Sequence, residues 1–482
     1  MSRFCNRTDV HLLRTPAQFA AGAPQPFAPR TAGPRPLPDH WPGPRGLPVL
    51  GSLPQMWRNP LRMFLAASQR YGDLFQFKLG PRSYFFVSDP QGIQRILVAQ
   101  QRNYAHWPRD NRNFRALLGH GLLTSEGETW RRHRTLAQPA FHHQRLAGLL
   151  DTVCGATAEV AARWDHAART GQLIDIGAEM GRLTLAIVTR ALYGQEAGDQ
   201  ADFIGQALSG AIRHIAHGLM LPFELPELAN RRFLATVQAL DRVVYDVIQN
   251  RQRDPREHND LLAMLMDARD ETGAGLSARE LRDEVLTFLL AGHETSALGL
   301  TWAWYLLAQH PTAEHRLQAE AAQVLGGRAP DYADLARLPF THSVIQETLR
   351  LYPPAGTMAR VALAEDEISG WPVPAGAVIF FSPYVTQRLP AHWPEPEVFA
   401  PERFSAEAPA LRPRYAYFPF GGGPRQCIGK NFALMEMQVV LASLAQRFRL
   451  MPWPGDTPDP QPAMDMYPRR PLRMRVLARR QE

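Results

Sequence analysis

Three cysteines in 482 residues, Cys5, Cys154 and Cys427, are too few and too unevenly spaced to staple a disulfide framework. No CxxC pair suggests structural zinc, and such sparse cysteine fits a reducing compartment. Residues 1–30 contain no continuous apolar stretch, so they read as neither a secretory signal nor a membrane anchor. Nowhere does a charge-free run reach the length needed to span a bilayer. Like charges do not gather either. The 53 Lys and Arg exceed the 46 Asp and Glu by 7, and no block resembles a nucleic-acid tail. No internal repeat is found. These absences leave a soluble cytoplasmic protein, expected to be a monomer that binds no nucleic acid. Apolar residues make up 45%, enough for a large buried core.

Proline and glycine are plentiful, and they divide the chain. Residues 1–40 read as a Pro-rich arm with no means of building a core alone. Residues 41–482 read as one domain. "DLFQFKLG" (73–80) and "SYFFVSD" (83–89) look like two strands around a short Gly-Pro turn. Helical patterns dominate from about 90 to 350. From 353 to 424 prolines recur every few residues, which suggests short strands and meander. The expected fold class is therefore mainly α with a small β portion.

Three helices carry the chemistry. The first is expected from Ala278 to His310, opened by a capping box of Ser277 and Glu280 and closed before Pro311. At 1.5 Å per residue it would be roughly 50 Å long. Its apolar middle, "LLAGHETSALGL", points to burial. The second, "FTHSVIQETLRLY", lies between Pro339 and Pro353. The third is expected to begin at or just after Cys427. A cysteine at a helix start faces unpaired N–H groups that favour thiolate, the metal-binding form.

Phe420, Gly423, Arg425, Cys427 and Gly429 fit FxxGxRxCxG at every fixed position. A chance match in a chain this long is on the order of 10⁻⁴. This stretch resembles the haem-ligand loop of the cytochrome P450 superfamily. The resemblance implies a P450 fold with a long central helix over haem b, Cys427 as the axial iron ligand, and glycines that make room for the haem. "AGHETS" resembles the oxygen-binding stretch of that family. There Ala291 and Gly292 would leave space above the haem, while Glu294 and Thr295 would serve the bound dioxygen and its protons. Trp130, Arg134, Arg360 and Arg425 match the family's propionate contacts. Glu347 and Arg350, with Arg403 from "FAPERF", match its structural triad. His133 is read as an ordinary surface or half-buried histidine, and Cys154 as a small apolar core residue.

The activity so implied inserts one oxygen atom from O2 into an apolar small molecule, by hydroxylation or epoxidation. Phenol coupling, desaturation and a non-catalytic haem sensor stay open as alternatives. With no electron-transfer domain expected after residue 482, a separate ferredoxin or flavodoxin with its reductase would bring electrons from NAD(P)H. Arg131, Arg132, Arg414 and Lys430 are expected to form its basic docking face. Phe114, Leu117, Leu118, Ile204, Leu219, Leu290, Ala291 and Met358 are expected to line the substrate pocket. One departure from the family pattern is "VTQRLP" (385–390), where Gln387 and Leu389 are expected to have local effects only.

Overall fold

A computed structural model describes residues 41–194, 201–219, 231–254, 256, 258, 260–408, 412–456, 458 and 466–479. Cys5 and the arm expected over residues 1–40 lie outside the described residues.

Ten strands are described: β1 (Leu74–Leu79), β2 (Arg82–Val87), β3 (Tyr104–His106), β4 (Leu173–Asp175), β5 (Met358–Ala362), β6 (Asp366–Ile368), β7 (Trp371–Val373), β8 (Val378–Phe381), β9 (Phe448–Pro452) and β10 (Arg473–Ala478). The largest sheet runs β1-β2-β8-β5-β3, antiparallel except where β2 meets β8. Its two faces feed two small cores. In one of them, Phe64 from the helix Pro60–Tyr71 stacks on Phe86 at 4.5 Å, and Phe75 stacks on Phe86 at 5.0 Å. Two smaller sheets, β4-β10-β9 and β6-β7, complete the β portion, and the other regular elements described are helices, as the sequence implies.

The central helix spans Ala278–Gln309. Its capping box forms as expected. Ser277 Oγ accepts from the Glu280 N–H at 3.3 Å, and Glu280 Oε2 accepts from the Ser277 N–H at 2.8 Å. Nearly every side chain from Leu281 to Leu307 is buried, but Ala291 and Thr295, one turn apart, stay open. The helix packs closely on its neighbour Ile176–Tyr193, and a Cβ at Gly292 would stand 2.9 Å from Val188 Cγ2. Gly292, expected to leave space above a haem, is thus also required by helix packing.

The third chemistry-bearing helix spans Lys430–Ala445 and starts three residues beyond Cys427, later than expected. Gly429 holds its N-cap position, so Cys427 belongs to the loop before the helix. Cys154 is half-buried in the helix Leu150–Thr170, with its thiol 3.7 Å from the Pro330 carbonyl.

Candidate active site

The loop before the third helix is held from below. The Cys427 N–H donates to the Phe420 carbonyl at 3.0 Å and closes the loop on itself. Gly423 adopts φ +66°, and a Cβ there would lie 1.9 Å from the Leu97 carbonyl oxygen. This glycine therefore seats the loop on its neighbour rather than making room for a cofactor. The Cys427 side chain opens into a cavity of about 580 Å³. Burial pushes its thiol up; the Gly429 amide, Arg134, Lys430 and the Lys430 amide pull it down without overcoming burial. The helix start alone does not make this sulfur a thiolate, whereas a bound metal ion would.

Other walls of the same cavity come from the central helix. Leu290, Ala291, Gly292, Glu294 and Thr295 line it. The Thr295 hydroxyl donates to the Ala291 carbonyl at 2.6 Å. Phe114 and Met358 complete part of the apolar lining. Leu117, Leu118 and Ile204 were expected there too. They are buried in the main core instead, outside the cavity lining, because their sides of their helices face other helices. Leu219 ends the helix Ala201–Leu219, and its side chain lies outside the described residues.

Trp130, Arg134, Arg360 and Arg425 border the cavity together. Trp130 and Arg134 stand one turn apart on the helix Gly127–Ala137, and the Arg425 guanidinium lies over the Trp130 ring at 4.4 Å. Arg134 Nη1 donates to the Gln426 carbonyl at 3.1 Å, and Arg360 Nη1 to the Ala359 carbonyl at 2.8 Å. Arg425 pairs with the carboxylate of Glu126, which also accepts from the His106 N–H at 3.0 Å. Burial would raise the Glu126 carboxyl, but its bonds to His106 and the Arg425 charge hold it at about 2. Burial lowers His106 to about 4, so it is neutral near pH 7. The rim gathers three guanidinium groups, the chemistry that suits a dianionic ligand.

A family profile described as cytochrome P450 matches residues 41–477. The chain belongs to the cytochrome P450 family. Among its relatives is cyclooctatin synthase of Streptomyces melanosporofaciens, 38% identical over 93% of this chain and 98% of that protein. Cyclooctat-9-en-7-ol 5-monooxygenase of the same organism is 35% identical, covering 92% and 94%. Pentalenene oxygenase of Streptomyces avermitilis is 32% identical, covering 90% and 96%. The crystal structure of the cytochrome P450DA heme domain superposes with a TM-score of 0.84 at 27% identity, covering 91% of this chain and 98% of that one.

As a P450, the chain is an oxidoreductase that incorporates oxygen, and its family uses haem iron, O2 and a redox partner. The residues present fit a haem. A cysteine sulfur faces a largely apolar cavity, and the three arginines at its rim suit two propionates.

Behind the P450 loop lies a buried ion pair. Arg350 Nε and Nη2 donate to the two Glu347 oxygens at 2.7 Å each, and neither side chain is exposed. The rest of the Arg350 guanidinium donates to the carbonyls of Gln387, Pro396 and Val398 at 2.7–3.0 Å. Arg403 Nε stands 3.4 Å from Glu347 Oε1, an ion-pair contact without hydrogen-bond geometry, while its Nη2 donates to the Glu395 carbonyl.

Gln387 overturns the expectation of a merely local effect. Its side chain is fully buried. Nε2 donates to the Leu349 and Arg350 carbonyls at 3.0 Å each, and Oε1 accepts from the Phe418 N–H at 3.0 Å. It thus ties the Glu–Arg helix to the segment that leads into the cysteine loop. Leu389 is a buried apolar residue of one sheet core.

Two further sites escape sequence reasoning. His133 is 1% exposed rather than near the surface, with Nδ1 2.7 Å from Glu284 and Nε2 3.2 Å from Glu280. Its helix neighbour Arg132 turns inward to Asp270 at 2.7 Å and Glu280 at 2.8 Å, so it is not free for partner docking. Glu436, fully buried on the third helix, has neither oxygen in a well-formed hydrogen bond. Burial pushes its carboxyl up to about 8, with Ser296 of the central helix pulling weakly against it. An isolated Glu in an apolar run, as in "ALMEMQVV", was the only sequence signal available.

Proposed function

We propose that this P450 is a haem-thiolate monooxygenase that inserts one oxygen atom from O2 into a polycyclic terpenoid hydrocarbon or an alcohol derived from one. Electrons come from a separate ferredoxin or flavodoxin with its reductase, drawing on NAD(P)H. The observation that carries this reading is the cavity between Cys427 and the Ala291–Thr295 turn. Leu122, Phe114, Phe288, Leu290 and Met358 line it, and few polar groups project there to orient a polar substrate. The names of the relatives, a cyclooctat-9-en-7-ol 5-monooxygenase and a pentalenene oxygenase, support an apolar ring system.

When bound, haem iron supplies dioxygen activation and oxygen transfer. Cys427 Sγ would hold its iron, from the loop that Phe420, Arg425 and Gly429 shape. Trp130, Arg134, Arg360 and Arg425 would hold the propionates. Thr295, its own proton committed to Ala291, would accept a hydrogen bond at the oxygen site, and Glu294 would bring protons to the same turn. Apolar walls hold a C–H bond or alkene in place and exclude stray water.

The test is turnover. Haem-loaded protein, surrogate ferredoxin and reductase, and NADPH would be incubated with cyclic terpene hydrocarbons and alcohols under isotopically labelled dioxygen. The expected product carries one labelled oxygen. Dehydrogenated, unlabelled product would move the reading to desaturation. No product across a broad terpenoid panel, with turnover of another substrate class, would overturn the substrate assignment.

A further inference from the structure

Glu126 stands at the N-cap of the helix Gly127–Ala137, which carries Trp130 and Arg134. A residue there ordinarily lends its side chain to the first unpaired N–H groups of the helix. The Glu126 side chain makes no such bond. Its carboxylate turns to the rim of the cavity instead, and both oxygens are engaged there. Oε1 accepts from the His106 N–H at 3.0 Å and lies 2.5 Å from His106 Nδ1. A neutral imidazole has one N–H to place, and so short a contact with a carboxylate puts it on Nδ1. Oε2 accepts from Arg425 Nη2. The Arg425 guanidinium is thus fixed twice, by Glu126 at its edge and by the Trp130 ring that it overlies.

Distant parts of the chain meet at this one side chain. His106 ends β3, where it pairs across the sheet with Arg360 of β5. Arg425 lies two residues before Cys427. Glu126 therefore links the strand edge beside Arg360, the start of the Trp130–Arg134 helix and the cysteine loop. Burial opposes its ionisation, yet His106 and Arg425 hold it at about 2, so it is negative near pH 7. Its side chain is 36% exposed, and water screens its charge only in part. That charge bears on the haem. Reduction of the iron adds a negative charge, which a carboxylate nearby disfavours and a guanidinium favours.

We propose that Glu126 fixes Arg425 for the propionate it would hold and lowers the reduction potential of the haem iron, setting how readily the first electron from the redox partner is accepted. Glu126 acts through Arg425 and through its own charge, so it is a positioning residue and not a catalytic one. The inference rests on haem filling this cavity and is independent of which substrate enters it.

Glu126→Gln keeps the size and removes the charge; Glu126→Asp keeps the charge and shortens the reach. Haem-loaded wild type and both variants would be titrated with dithionite and redox mediators, with the midpoint read from the Soret band. Glu126→Gln should move the equilibrium toward the reduced form at least threefold, a rise of about 28 mV for one electron. Glu126→Asp should move less than half as far, and Glu126→Ala, the second uncharged variant, at least as far as Glu126→Gln. Uncharged variants with the wild-type midpoint would overturn the proposal. So would Glu126→Asp moving as far as Glu126→Gln, the result that altered packing alone would produce. Loss of haem from both uncharged variants, with Glu126→Asp still loaded, would make Glu126 a residue that seats the cofactor and would remove its role in the potential. The reduced, carbon-monoxide-bound band of the wild type reports separately: without it the haem-thiolate reading fails, whereas its presence with an unmoved midpoint sinks only this one.

Discussion

Thr295 gives its only hydroxyl proton to the Ala291 carbonyl, so what it offers the cavity is an acceptor oxygen on a fixed rotor. Glu294 beside it is buried at the cavity wall. If this turn manages protons for oxygen chemistry, Thr295→Ala should bind haem normally yet lose product formed per NADPH by about 10²-fold, the size expected of general acid–base help. NADPH and O2 consumption should continue, and Thr295→Ser should recover much of the coupling. Tight coupling in Thr295→Ala would remove this residue from the proton path. Thr295 and Cys427 were legible because their neighbours in sequence are also their neighbours in space. Glu126, His106 and Glu436 were not. Their meaning lies in contacts with residues many positions away, and residue type alone does not disclose a tertiary partner.

Elements were legible where local chemistry decides them. The capping box set the start of the central helix, and Gly80 with Pro81 set the first hairpin. The third helix started later than expected because Gly429, not Cys427, takes the cap. Gln387 was misjudged for a related reason: in a Pro-rich meander nothing in the sequence says which backbone groups a buried amide will reach. Gln387→Leu leaves the Phe418 N–H and two helix-end carbonyls buried without this partner. At about 1–3 kcal/mol for each of the three orphaned groups, a loss of roughly 3–9 kcal/mol follows, with faster decay of the thiolate absorption band in denaturant. Gln387→His, still able to hydrogen-bond, should lose less. A Gln387→Leu protein as stable as wild type would show that the amide couples nothing. Arg350→Met leaves Glu347 behind as a buried, half-satisfied charge. A loss of about 3–5 kcal/mol is expected, read as failure to recover haem-loaded, folded protein.

Across the whole molecule, buried titratable groups shape how stability varies with pH, and the two sides of the optimum have different owners. On the acid side, burial lowers His106 and His293 to about 4. The unfolded chain takes up those protons first, so stability falls as pH drops from about 6.5 toward 4. Glu126 and Glu280 are held at about 2 by their hydrogen-bond partners despite the opposing pull of burial, and extend that loss as pH falls below about 4.5. On the alkaline side Glu436 acts in the opposite sense. Its folded value is about 8 against an ordinary 4.5. Between those values the folded protein keeps a proton that the unfolded chain has released, so stability declines as pH rises through that window. The full decline is on the order of 5 kcal/mol for a shift of this size. Glu436→Gln imitates the protonated carboxyl. It should match wild type near pH 5, exceed it increasingly up to pH 8, and leave the acid limb unchanged. Denaturant midpoints of both proteins, haem-loaded and measured from pH 4 to 9, decide the matter: parallel curves across the alkaline window would mean that Glu436 is already ionised in the folded protein.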